Sequence, residues 1–228
     1  MNEMRLCFAT FMRPMWEEAT ITWDQQASKQ WPIGCAQKMD VMDAYQKLFR
    51  ESPEPILAYI HDDVLCNELG WDLRVLREFQ DPEVGVVGFA GALGHGDPEM
   101  YQKPYELQQL GRRTFLSNMR DAEHHGQRFD GVHDVAVLDG FALIVRRKLL
   151  DDAWGWPLNT PIGYIGYDYW LCCMARRLGY RIRMVGIACT HLSGGSNGLN
   201  PHTKIDFEGA HRYIYVKFRD VLPFTVPA

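Results

Sequence analysis

The 228-residue chain lacks any apolar run near the roughly 20 residues that a membrane-spanning helix needs. Its first residues, Met1-Asn2-Glu3-Met4-Arg5, lack the basic-then-apolar order of a secretion signal, so a cytoplasmic location is expected. None of its six cysteines (Cys7, Cys35, Cys66, Cys172, Cys173, Cys189) forms a Cys-x-x-Cys pair, which excludes a zinc ribbon and points to reduced, mostly buried thiols. Basic residues are in the minority, 24 Lys and Arg against 29 Asp and Glu, for a net charge of −5. That argues against a broadly basic nucleic-acid binder. Repeats, low-complexity tracts and linkers are also missing. What remains is ordinary globular material, 46% hydrophobic and 23% charged, in a chain long enough to bury a core without metal or disulfide staples.

Short apolar runs alternate with amphipathic stretches. Leu6–Phe11 reads as a first strand, Met39–Arg50 as a helix with Met39, Met42, Tyr45 and Phe49 near one face, and Pro55–Ile60 as a strand buried on both sides. Glu68–Gln80 reads as a helix with Leu69, Leu73 and Leu76 inward, and Val84–Ala90 as the next strand. The alternation implies a mainly parallel sheet with helices on both faces. From Leu93 to Asp134 the pattern weakens into a glycine-, proline- and arginine-containing insertion, expected to act as a lid over the acceptor. Strands return at Val135–Leu138 and Phe141–Val145, then a helix over Asp168–Leu178 closed by Gly179, a strand over Tyr180–Ala188, and a loop over Thr190–Ser196.

Four constellations carry candidate chemistry, and each has a plain structural alternative. His61-Asp62-Asp63 follows the buried run, where α/β sheets place ligands; its carboxylates could hold a hard divalent cation, or cap the next turn. Asp168, in Gly166-Tyr167-Asp168-Tyr169-Trp170, could be a general base desolvated by aromatic rings, or a helix N-cap. His191 before Gly194-Gly195-Ser196 could ligate a metal beside a phosphate-binding turn, or be structural. Asp139-Gly140 between two apolar runs is fully explained by a hairpin turn.

Taken in order, these segments resemble the GT-A nucleotide-sugar glycosyltransferases of the family-2 type, in the group whose Asp-x-Asp motif appears as His-x-Asp. The likeness rests on Val41–Lys47, Tyr59-Ile60-His61-Asp62-Asp63-Val64, Asp81–Gly88, Leu138-Asp139-Gly140-Phe141 with Arg146-Arg147, Gly166-Tyr167-Asp168, Gly179–Ile182, and His191 with Gly194-Gly195-Ser196. It implies one GT-A domain over residues 1–228, an α/β fold with a mainly parallel Rossmann-like sheet flanked by helices, the insertion at about 93–134 and a C-terminal segment at about 197–228. It further implies that Asp63 and His191 ligate Mn²⁺ or Mg²⁺, and that Asp168 is the base of an inverting transfer. Thr10, Arg13, His61, Asp62, Asp139 and Gly140 would then contact a nucleotide-sugar donor, a UDP-sugar by preference. His61 stands where the family usually has its first aspartate, and no aspartate-rich second strand is recognisable between Ile21 and Lys38.

The acceptor is open between a glycan hydroxyl and a hydroxymethylated base of phage DNA, for which Arg112, Arg113, Arg120 and Arg128 with His124 and His125 could contact phosphates. A different class is a non-catalytic sugar- or nucleotide-binding module in which Trp154, Trp156, Tyr164, Tyr167 and Trp170 stack on sugars. Against stacking stands core packing of the same aromatics.

Overall fold

The structure, a computed structural model, describes residues 3–10, 16–96, 115–117, 130–192 and 207–226. The first half runs β1 (Met4–Thr10), α1 (Trp16–Gln25), β2 (Ile33–Gln37), α2 (Val41–Glu51), β3 (Ile56–His61), β4 (Val64–Cys66), α3 (Trp71–Glu78), β5 (Val84–Gly88), β6 (Ala90–Ala92) and β7 (Gly94–His95). There follow β8 (Phe115–Ser117), β9 (Val132–Asp134), β10 (Val137–Leu138), β11 (Ala142–Arg146), α4 (Arg147–Asp152), α5 (Tyr167–Arg177), β12 (Arg181–Val185), β13 (Cys189–His191), α6 (Phe207–Lys217) and β14 (Phe224–Thr225).

A seven-stranded sheet in the order β2-β1-β3-β11-β5-β12-β9 forms the centre. Five strands point one way, and β11 and β9 run against them. The two-residue side-chain period of a strand divides the core. Met4, Leu6 and Phe8, Ile56, Ala58 and Ile60, and Ala142 and Ile144 face one layer with Trp23 of α1 and Trp71, Val75 and Leu76 of α3. Cys7, Leu57 and Tyr59, with Leu143 and Val145, face the other with Met42, Tyr45, Leu48 and Phe49 of α2 and most of α5. Both faces are covered, which is why the central strands read as continuous apolar runs rather than alternating ones.

Several boundaries differ from the sequence expectation. Asp139 and Gly140 do not make a hairpin: β10 pairs with β6 in a small second sheet, whereas β11 inserts between β3 and β5. The apolar run 84–90 splits for the same reason, into β5 of the main sheet and β6 of the small one. α3 begins only at Trp71, after Gly70 at φ 72°, and buries Trp71, Val75 and Leu76. Leu69 and Leu73 are 78% and 57% exposed, so their spacing did not mark the core face. Val132–Asp134, expected in the insertion, is the edge strand of the main sheet. Residues 97–114 and 118–129, which include Arg112, Arg113, Arg120, Arg128, His124 and His125, lie outside the described residues.

Candidate active site

The last residue of β3 is His61, at the carboxyl end of the strand, where the odd-numbered side chains face α5. Its N–H donates to Phe141 O at 2.9 Å, which ties it to the start of β11. Asp62 and Asp63 form the turn into β4, and both are buried. β4 pairs antiparallel with β13, placing His191 opposite Val64, and Leu192 N–H donates to Asp63 O at 2.8 Å. This short ladder is what carries His191 to Asp63 across more than a hundred residues of chain. Thr190 and His191 are therefore strand rather than loop; residues 193–206, with Gly194, Gly195 and Ser196, lie outside the described residues.

The result is a cluster of one carboxylate and two imidazoles. His191 Nε2 lies 3.2 Å from Asp63 Oδ1 and His61 Nδ1 lies 3.9 Å from the same oxygen. One ligand atom from each of His61, Asp63 and His191 falls within 4.8 Å of the others, a spacing that suits a shared cation. Burial and the neighbouring His191 lower the pKa of His61, while Asp63 opposes them; the net direction favours the neutral imidazole, the form that ligates metals. Phe141 stacks on His191, with ring centroids 6.1 Å apart and planes 25° from parallel.

Asp168 is the second residue of α5. It does not cap the helix; the capping position belongs to Gly166, at φ 89°. Its carboxylate accepts the Tyr169 N–H at 2.9 Å. Burial, then the nearby Asp139 carboxylate, push its pKa up to about 7, against backbone N–H groups that include Gly140. Desolvation thus outweighs the favourable end of the helix dipole, a balance the sequence alone left open. Asp139 lies within electrostatic range of both Asp168 and His61, so acid and imidazole share one site. Its carboxylate accepts the Phe141 N–H at 3.1 Å, which shapes the crossing between the two sheets.

Tyr167 joins these parts. Its hydroxyl lies 2.6 Å from His61 Nε2 and donates to Gly140 O at 3.1 Å. Gly140 has no room for a side chain: a Cβ there would lie 2.6 Å from Tyr167 Cζ. Tyr167, Trp156 and Trp170 are buried among aromatic neighbours, so they are core rather than sugar platforms; Trp154 is 93% exposed. Sequence reasoning missed the hydroxyl's role because an aromatic at a helix start reads as core.

Of the remaining expectations, Thr10 ends β1, adjacent in the sheet to β3, and Arg13 lies outside the described residues. Arg146 donates to the carbonyls of Phe79, Asp81 and Val84, and Arg147 to those of Phe49 and Ser52, at the end of β11 opposite the site. They brace the fold. Five cysteines are buried and Cys35 is half-buried; burial raises every one of these thiols, so none is an activated nucleophile.

A family model described as "Glycosyltransferase like family" matches residues 29–197. No curated protein matches the chain. Similar solved structures include the mannosyltransferase PcManGT from Pyrobaculum calidifontis in complex with GDP-Man and Mn²⁺, at 12% identity and TM-score 0.55, covering 96% of this chain and 72% of that one. TarS residues 1–349 from S. aureus in complex with UDP-GlcNAc has 11% identity and TM-score 0.60, covering 97% and 67%. GalNAc-T7 with UDP, GalNAc and Mn²⁺ has 8% identity and TM-score 0.64, covering 96% and 48%. At these identities the likeness is one of fold, the GT-A fold. No helix among the described residues is long and apolar enough to cross a membrane.

Proposed function

The chain belongs to the glycosyltransferase-like family, and from that membership we propose that it moves a sugar from a nucleotide-diphosphate donor to an acceptor hydroxyl, with inversion and with a divalent cation. The observation that carries the proposal is the convergence of His61, Asp63 and His191 beside a buried carboxyl whose pKa is about 7. One carboxylate and two imidazoles satisfy about half of an octahedral shell and leave positions for diphosphate oxygens. Imidazole nitrogen suits Mn²⁺ better than Mg²⁺, which prefers oxygen alone. When bound, such a cation offsets the charge that develops on the departing diphosphate.

The chain's own residues then divide the work. Asp168, whose pKa burial raises to about 7, takes the acceptor proton in its ionised form as the hydroxyl attacks, a contribution of roughly 10²–10⁴-fold. Asp139 and Gly140 line the donor sugar between metal centre and base. Asp62 adjoins the diphosphate, and Thr10 with Arg13 faces the nucleoside, for which uridine is the preferred choice. An inverting transfer needs a single base on the acceptor face, and no second nucleophile is required of the site.

A panel of UDP-, GDP- and dTDP-sugars tests this by thermal shift and by slow hydrolysis of the donor without acceptor. At least one donor should raise the melting temperature with Mn²⁺ and not with chelator. Asp63→Ala should abolish that increment while keeping the fold. A panel without any metal-dependent shift or hydrolysis would overturn the proposal.

A further inference from the structure

The buried hydroxyl of Tyr167 touches two groups of opposite chemistry. Gly140 O can only accept a hydrogen bond, and it receives the single phenolic proton at 3.1 Å. With the phenolic proton on Gly140 O, the oxygen keeps only lone pairs, and the 2.6 Å contact with His61 Nε2 is then a hydrogen bond that the imidazole donates. A neutral imidazole with its proton on Nε2 has a bare Nδ1, and Nδ1 is the atom that faces Asp63, 3.9 Å from its Oδ1.

We propose that Tyr167 is the positioning residue of the metal centre: its hydroxyl, clamped on Gly140, fixes the His61 ring and tautomer so that Nδ1 is the atom offered to the cation. The inference rests on the reading of His61, Asp63 and His191 as that centre. Two features hold the hydroxyl in place. Gly140 gives up its side chain to admit the phenol ring, and Tyr45 and Trp156 pack against that ring with centroids 5.5 and 6.4 Å away. Tyr167 also immediately precedes Asp168, so one helix start fixes both the imidazole's tautomer and the base. A sequence pattern cannot show such a link, because Tyr167 and His61 are joined only through the folded sheet edge.

The test uses the full-length protein and two independent readouts. Long-range ¹H–¹⁵N spectra of the metal-free protein, at a pH where imidazole is neutral, should show His61 protonated on Nε2. In Tyr167→Phe, which keeps the ring packing, the signal should move toward the Nδ1–H form. Mn²⁺ affinity, measured by electron paramagnetic resonance without donor, should fall roughly 10- to 100-fold, the usual effect of removing the partner that orients a metal-bound histidine. In a His61→Ala background the same substitution should change Mn²⁺ affinity by less than about twofold, because its effect passes through the imidazole. A wild-type Nδ1–H tautomer overturns the role of Tyr167, as does an equal loss of affinity in both backgrounds. The Nε2–H tautomer in a protein that binds no Mn²⁺ instead overturns the metal centre. If Tyr167→Phe fails to fold, the wild-type tautomer decides.

Discussion

At the scale of single residues, the burial of Asp168 carries an electrostatic cost. Its folded pKa of about 7 lies above the ordinary carboxyl value of 3.8, so the native state holds this proton more tightly than the unfolded chain does. The stabilising contribution is full below pH 4 and is lost as pH rises through 7, an effect of up to about 4 kcal/mol. Asp168→Asn removes that loss. The variant should melt higher than wild type at pH 8 and nearly level with it at pH 4, read by calorimetry across pH. Turnover of the wild type should rise as pH passes 7 and Asp168 ionises, and the variant should lose roughly 10² or more in kcat with donor affinity little changed. A structural carboxylate would give the variant near-normal turnover. As candidates, His61, Asp63 and His191 were legible because polar groups follow apolar runs, and Asp168 because it opens a helix among aromatic residues. The hydroxyl of Tyr167 was not, since its two partners lie 106 and 27 residues away.

At the scale of elements, what was legible depended on whether partners were local. β3 and β11 announced themselves as apolar runs because each is buried on both sides. β13 did not, because its strand character comes from β4, more than a hundred residues earlier. Leu69 and Leu73 misled because their 3–4 spacing falls on an exposed face, while Trp71 and Val75 fill the core. The C-terminal helix α6 was missed altogether. It packs Ile214 and Ala210 on Gly166, the turn from which Tyr167 and Asp168 emerge, and Arg177 holds it through Lys217 O and Asp220. Ile214 is 1% exposed, so Ile214→Ala should cost about 2–5 kcal/mol, seen in denaturant titration. Because the cavity opens beneath the Gly166 turn, kcat should fall as well, even at temperatures where the variant is folded. Unchanged turnover in a destabilised variant would confine α6 to a structural role.

At the scale of the whole molecule, the sheet assembles the site from distant pieces of chain. Strand β3 supplies His61 and the turn after it Asp63, β13 supplies His191, the crossing between two sheets supplies Asp139 and Gly140, and α5 supplies Tyr167 and Asp168. The antiparallel β11 is the element that joins them, since its entry beside β3 brings Phe141 O to the His61 N–H. Under the proposed reading of His61, Asp63 and His191, two nitrogen donors and one oxygen would set the metal preference, so Mn²⁺ should bind at least roughly tenfold more tightly than Mg²⁺. Spin-echo modulation of Mn²⁺ bound to the wild-type protein reads the donor set directly. Modulation from two imidazole nitrogens is expected, halved in His61→Ala and in His191→Ala and lost in the double variant; bound Mn²⁺ without nitrogen modulation would contradict a metal centre built from His61, Asp63 and His191.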